Sequence, residues 1–316
     1  MTLLYYDPIF LEHETGRHPE NAGRLRPLIK HLDESGLSAR CERVEWEPIS
    51  IERLCRVHSR KHVDTVKAFA EQGGGQIEVD TVVSPKSYDV ALTAAGAVCD
   101  AVTRVVRGDQ QRALCLVRPP GHHALAGNPM GFCLFNNVAT GARLAIDEFE
   151  LDRVLIVDWD VHHGNGTQAI FWEDSRVGFF SAHRYPFYPG TGAADEVGAG
   201  DGLGTTSNLP IRFGISRTDY VAGFRAQLET FARNIKPQLV IISAGFDSHR
   251  ADPIGSLGLE SEDFEPLTKI VLDIADAHAG GRVVSVLEGG YNPTALTECV
   301  AIHLRELLAA ESNIRN

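Results

Sequence analysis

One stretch constrains this chain more than any other: Val154-Leu155-Ile156-Val157-Asp158-Trp159-Asp160-Val161-His162-His163-Gly164-Asn165-Gly166. Its aliphatic opening reads as a buried strand. The strand runs into two carboxylates and two imidazoles, then into glycines that release the backbone from extended geometry. Side chains alternate on an extended chain, so Asp158, Asp160 and His162 point one way and His163 the other. An oxygen and a nitrogen ligand from a single strand end make half of a divalent-metal site. A polar strand-to-helix loop would need one capping carboxylate at most; capping chemistry has no use for Asp-x-Asp-x-His.

The other half has a candidate further along. Leu239-Val240-Ile241-Ile242-Ser243 reads as a second buried strand and delivers Asp247 just past its C-terminal end. Asp160, His162 and Asp247 would be three ligands with a fourth position open, the pattern of a catalytic rather than a structural site. Two more apolar runs end in reactive residues. Ala113–Val117 leads into Arg118-Pro119-Pro120-Gly121-His122-His123, a stiff loop that suits an acid–base pair held near a metal. Residues 282–286 lead into Glu288-Gly289-Gly290-Tyr291, where paired glycines permit a sharp turn. Tyr291 could there donate to a developing oxyanion; taken alone, it reads as packing behind a turn.

Apolar runs alternating with helical patterns predict an α/β fold. We expect a single domain, 1–316, with a central, mostly parallel sheet flanked by helices. Strands are expected near 3–6, 113–117, 153–158, 177–181, 239–243 and 282–287. Helices are expected near 23–35, 59–71, 88–107, 136–148, 217–234, 262–278 and 293–309, and Gly73–Gly75 and Gly198–Gly204 as loops. Every candidate catalytic residue then lies at or beyond a strand's C-terminal end, where open α/β sheets hold their sites. The net charge of −12 argues against nonspecific nucleic-acid binding. The opening MTLLYYDPIF reads as too short and polar for a signal peptide or membrane span, and six cysteines without a CxxC pair read as reduced, cytoplasmic thiols. Cys133 is expected to be buried as a small hydrophobe.

Together these motifs resemble the zinc-dependent histone deacetylase family, which has an arginase-type α/β fold. The matching segments, in the family's order, are RPPGHHA at 118–124, GFCLFNNVA at 131–139, VDWDVHHGNGTQ at 157–168, PFYPGTGAADEVGAG at 186–200, SAGFDSHRADPIG at 243–255 and LEGGYN at 287–292. Asn165, the Asp252-Pro253 pair and LEGGYN resemble the class II branch, which includes bacterial acetylpolyamine amidohydrolases and deacetylase-like amidohydrolases.

The resemblance implies one Zn2+ on Asp160, His162 and Asp247, His122 paired with Asp158, and His123 paired with Asn165. His123 is then the main general base and acid, and His122–Asp158 sets the charge beside it. Asn165 orients an imidazole without adding negative charge, so it favours the imidazolium less than an aspartate would. Phe132 and Tyr188, with Gly131, Ile254 and Gly289, are expected to line a narrow tunnel for a lysine stem, and Tyr291 to serve the oxyanion. Carbonyls near Asp158, with Asp160, His162, Ser181 and Ala182, resemble the family's inner potassium site. By resemblance His18, Pro19, Glu20 and Arg24 lie near the pocket mouth; by residue type they read equally as a solvated loop. His13, His31, His58, His62, His249, His278 and His303 read as surface or satisfied core residues, and His183 is unassigned.

The implied substrate is an acetylated lysine side chain of a protein or peptide, or an acetylated small amine, with neither nucleic acid nor membrane as partner; oligomeric state is left open. An acetylpolyamine hydrolase is the second reading, weakened because Ile254 is apolar where an acidic gatekeeper would follow the Asp-Pro pair. An inactive acyl-lysine binder fits poorly with a complete set of ligands, histidines and tyrosine. A two-metal arginase-like centre would need more bridging residues than these loops hold.

Overall fold

The computed structural model describes residues 1–309. Ten strands are formed among them: β1 Leu3–Tyr5, β2 Glu42–Arg43, β3 Gly75–Glu78, β4 Thr81–Val83, β5 Arg112–Cys115, β6 Val154–Asp158, β7 Val177–Arg184, β8 Thr206–Ile211, β9 Leu239–Ala244 and β10 Val283–Leu287. Eight make one sheet in the order β2-β1-β5-β10-β9-β6-β7-β8, and every pairing within it is parallel. β3 and β4 form a separate antiparallel hairpin.

The central strands β5, β6, β9 and β10 are buried along their whole length. Helices on both faces leave them no polar side, which is why they read as unbroken apolar runs in the sequence. The principal helices are α1 Leu25–Glu34, α2 Ile51–Leu54, α3 Arg60–Glu71, α4 Ser87–Arg107, α5 Asn137–Phe149, α6 Asn165–Ile170, α7 Arg217–Ile235, α8 Phe264–His278 and α9 Pro293–Ala309. Their ends follow local chemistry. The Asn136 side chain caps α5 by accepting from the Ala139 N–H, and Gly108, at φ 87°, ends α4 in the left-handed conformation. α4 and α5 pack closely because Gly141 has no Cβ: one placed there would lie 2.8 Å from Val98 Cγ1.

Four strands were not expected. β2 has two residues, β8 is a polar edge strand containing Pro210, and the β3–β4 hairpin rises from the region read as a glycine loop. An edge strand with one wet side lacks the apolar run that marks a central one. β7 also extends to Arg184, three residues past its expected end, which places His183 inside the sheet.

Aromatic packing knits α7 to the sheet. The Phe224 ring stands edge-on to Phe180 at 5.5 Å and lies 6.4 Å from Trp159. Phe224→Ala should lower the unfolding free energy by about 3–5 kcal/mol, the usual result of emptying a phenyl-sized core site. Chemical denaturation measures it; a loss below about 1 kcal/mol would mean that the site collapses onto its neighbours.

Candidate active site

Neighbouring strands bring the motifs together. β5, β10, β9 and β6 are adjacent in the sheet, so the segments that follow them, 118–123, 288–291, 245–247 and 159–163, converge above one edge. Strand register levels these ends: Asp158 pairs with Ser243, and Leu287 with Ala244.

Asp160, His162 and Asp247 are all buried, and their potential ligand atoms lie within 4.8 Å of one another. His162 Nδ1 is 3.0 Å from Asp160 Oδ1 and 3.1 Å from Asp247 Oδ2. The outer oxygens are held by backbone: the Gly289 N–H donates to Asp160 Oδ2 at 2.8 Å and the Val161 N–H to Asp247 Oδ1 at 2.8 Å. Asp247 Oδ2 is buried yet accepts no hydrogen bond. Burial, and then the facing Asp160, push the Asp247 carboxyl upward. Two carboxylates and an imidazole converging on one point, with an oxygen left unsatisfied, fit a divalent cation with a position to spare. A Cβ at Gly245 would overlap Asp160, and one at Gly289 would overlap both carboxylates, so these positions have no room for a side chain.

Two histidines stand beside this group with opposite electrostatics. His122 Nδ1 lies 2.9 Å from Asp158 Oδ2, and His123 Nδ1 lies 2.7 Å from Asn165 Oδ1. Burial lowers both imidazoles. For His122 the Asp158 and Asp160 carboxylates outweigh it and raise the group to about 10. For His123 the neighbouring His122 and His162 add to burial and hold it well below its ordinary value. A neutral His123 thus sits against a charged His122, their ring centroids 4.0 Å apart.

A slot of about 210 Å³ opens onto His123 and His162, walled by Asp80, Gly131, Phe132, Phe187, Tyr188, Ile254 and Tyr291. Phe132 meets Tyr291 edge-on at 5.6 Å, and Tyr188 meets His123 edge-on at 5.2 Å. Phe132 has a positive φ of 69° that a side chain tolerates poorly; the hairpin secures it, with the Phe132 N–H donating to Thr81 Oγ1 at 3.1 Å and the Gly131 N–H to Asp80 Oδ1 at 3.0 Å. Burial of the Tyr291 phenol holds it well above its ordinary pKa, so it remains a donor. Gly289 lies below the slot, against the carboxylates, rather than along its wall.

Residues 18–307 match the model of the histone deacetylase domain. The chain belongs to the histone deacetylase family. It is 35% identical to a histone deacetylase-like amidohydrolase of Pseudomonas aeruginosa, over 100% of this chain and 88% of that one. It is 37% identical to human histone deacetylase 7, over 95% of this chain but only 36% of that much longer protein. The crystal structure of the HDA15 HD domain superposes with a TM-score of 0.92 at 37% identity, covering 97% of this chain and 88% of that one.

Several residues around this histone deacetylase site escaped the motifs. Asp80 comes from the hairpin, remote from every central strand, and has no local signal. Phe187 adjoins Tyr188 and was legible only as part of PFYPG. Glu288, inside LEGGYN, carries no local sign of its role; it is buried and accepts the Gly121 N–H at 2.6 Å, fixing the His122–His123 loop. The segment at 18–24 is neither a solvated loop nor, at Glu20, part of the slot wall. Glu20 and Arg24 are buried, and Glu20 is paired with Arg118, with Arg24 at 3.1 Å and with His13 at 3.5 Å. Arg24 Nε donates to the Gly290 carbonyl at 2.6 Å, so this charge cluster braces the turn before Tyr291. Two side chains of that segment back slot-wall rings: the His18 ring lies 4.4 Å from Phe132, and the Arg24 guanidinium 4.9 Å from the Tyr291 ring centroid. His163 points away from Asp160, onto Thr191 and Gln168, and Cys133 is buried.

If the Asp160–His162–Asp247 group takes a metal ion, Gly289→Ala, whose Cβ would overlap both carboxylates, should abolish metal uptake without unfolding the protein. Metal titration followed alongside circular dichroism reads both; retained affinity in a folded variant would show that the carboxylates can shift aside.

Proposed function

We propose that this protein is a zinc amidohydrolase that removes acetyl or a similar short acyl group from a lysine-type amine. The observation that carries the reading is the buried Asp160–His162–Asp247 group at the floor of an aromatic slot, with a neutral imidazole beside it. Zinc held by those three residues would polarise the substrate carbonyl and lower the pKa of water towards about 7.

The chain's own residues supply the remaining work. With Asn165 Oδ1 as acceptor, His123 Nδ1 carries its proton and Nε2 keeps a lone pair. That neutral base takes a proton from the attacking water and returns it to the departing amine. His122, held protonated by Asp158, supplies fixed positive charge behind it. Tyr291 donates its hydroxyl to the carbonyl oxygen as negative charge develops there. Phe132, Tyr188 and Phe187 cover a methylene stem that would otherwise stay wet. A structural potassium ion near Asp158, Asp160, His162, Ser181 and Ala182 belongs to the same reading, supported by the register pairing of Asp158 with Ser181.

Asp80 favours a second reading. Ile254 lines the slot and is apolar, yet Asp80 lines it too and supplies a carboxylate where a distal ammonium could rest. Acetylated polyamines are therefore the competing substrate class. Rates on acetyl-lysine peptides and on acetylspermidine, compared with zinc-loaded protein, separate the two; we expect the peptides to be preferred.

The metal assignment is tested by elemental analysis of wild type and Asp247→Ala. Wild type should hold one zinc per chain and the variant little; equal metal content with equal activity would sink the proposal. Tyr291→Phe should lower kcat by roughly 10²–10³ with a smaller change in KM, as expected for loss of one oxyanion donor. An unaltered kcat returns Tyr291 to a packing role.

A further inference from the structure

Arg184 ends β7 outside the slot, touching neither His122, His123 nor Tyr291. It nevertheless binds two of the slot's walls from behind. Its guanidinium lies 4.1 Å from the centroid of the Phe187 ring. The Phe187 ring in turn stacks on the His162 imidazole, centroids 5.4 Å apart and planes 17° from parallel. Guanidinium, phenyl and imidazole thus form a continuous column that ends on a member of the metal-binding group. A second ring, Phe213, lies 4.5 Å from the same guanidinium; it is 65% exposed and sits in the loop between β8 and α7.

The same guanidinium pins a second wall. Arg184 Nη1 donates to the Gly255 carbonyl at 3.0 Å and to that of Ser256 at 3.4 Å. This is the turn that presents Ile254 to the slot. Asp252 ties it further: Oδ1 accepts from Ile254 and Gly255, and Oδ2 from the Tyr291 N–H at 2.6 Å. The Arg184 N–H donates to the Val161 carbonyl at 2.8 Å, beside His162. One planar cation therefore fixes the spacing between the Phe187 wall and the Ile254 wall. Arginine suits this position because it stacks on rings and donates in its plane at once; lysine cannot do both.

We infer that Arg184 is a positioning residue that sets the width of the slot, and hence its grip on the apolar stem of the substrate. This rests on the amidohydrolase reading above. The test uses zinc-loaded full-length protein and two hydroxamates, which chelate zinc through the same group: acetohydroxamate, with no stem, and a hydroxamate on a hexamethylene chain. Binding is measured by calorimetry, and thermal unfolding is recorded for each variant. Arg184→Lys should weaken the long-chain hydroxamate about tenfold and leave acetohydroxamate unaltered. Phe213→Ala, at an exposed position, should act in the same direction by about threefold. For acetyl-lysine peptides the loss in Arg184→Lys should fall on KM more than on kcat.

An equal loss for both hydroxamates overturns the inference, since the damage would then lie at the metal group rather than the wall. An unaltered long-chain affinity in both variants overturns it as well. Wild-type protein that binds neither hydroxamate overturns the metal-dependent reading itself, which is a distinct result. If Arg184→Lys fails to fold, the Phe213→Ala comparison decides alone.

Discussion

Four carboxylates, those of Asp158, Asp160, Asp247 and Glu288, are buried at one end of the sheet, and the surrounding structure answers to that concentration of charge. Buried anions must be hydrogen-bonded, paired or neutralised. Here backbone N–H groups of Gly121, Val161 and Gly289 meet Glu288, Asp247 and Asp160, and two imidazoles lie among the acids. The oxygen that remains unmet, Asp247 Oδ2, faces His162. The glycines at 245 and 289 follow from the same crowding, because the carboxylates stand where a Cβ would be.

The two central histidines, both buried, sit in opposite electrostatic surroundings. His122 faces an aspartate and is held charged; His123 faces an asparagine and is held neutral, although the rings nearly touch. The charge on one helps suppress a charge on the other.

The slot has a different construction from its floor. Its walls come from five separate stretches of chain: the hairpin at Asp80, the turn at Gly131–Phe132, the loop at Phe187–Tyr188, the turn at Ile254 and the residue Tyr291. None is held by sheet hydrogen bonds of the main sheet. Each is anchored by side chains reaching across: Thr81 and Asp80 to the Phe132 turn, Asp252 to Tyr291, and Arg184 to both Phe187 and the 255–256 carbonyls. Of the residues that hold these walls, Asp80, Thr81 and Arg184 lie outside the family's motifs.

The sequence by itself determined the α/β class, the central buried strands and the chemical groups of the floor. Those groups sit within a few residues of strands whose unbroken apolar runs betray their burial on both faces, so local pattern and chemistry are recorded together. Asp158, Asp160, His162 and Asp247 could be read in this way, and the family's motifs added His122, His123 and Tyr291 to the same centre. Strand order belonged to the tertiary structure: that β10 lies between β5 and β9, bringing the segment before Tyr291 beside the others, is written in no local pattern. So did the polar edge strand β8, the hairpin and the buried Glu20–Arg118–Arg24 cluster. The reason is physical. An edge strand lacks a two-sided apolar face, and a buried ion pair looks in sequence like two ordinary surface charges. The contacts of Asp80 with Gly131 and of Arg184 with Gly255 join residues 51 and 71 positions apart, and these partners exist only once the chain has closed.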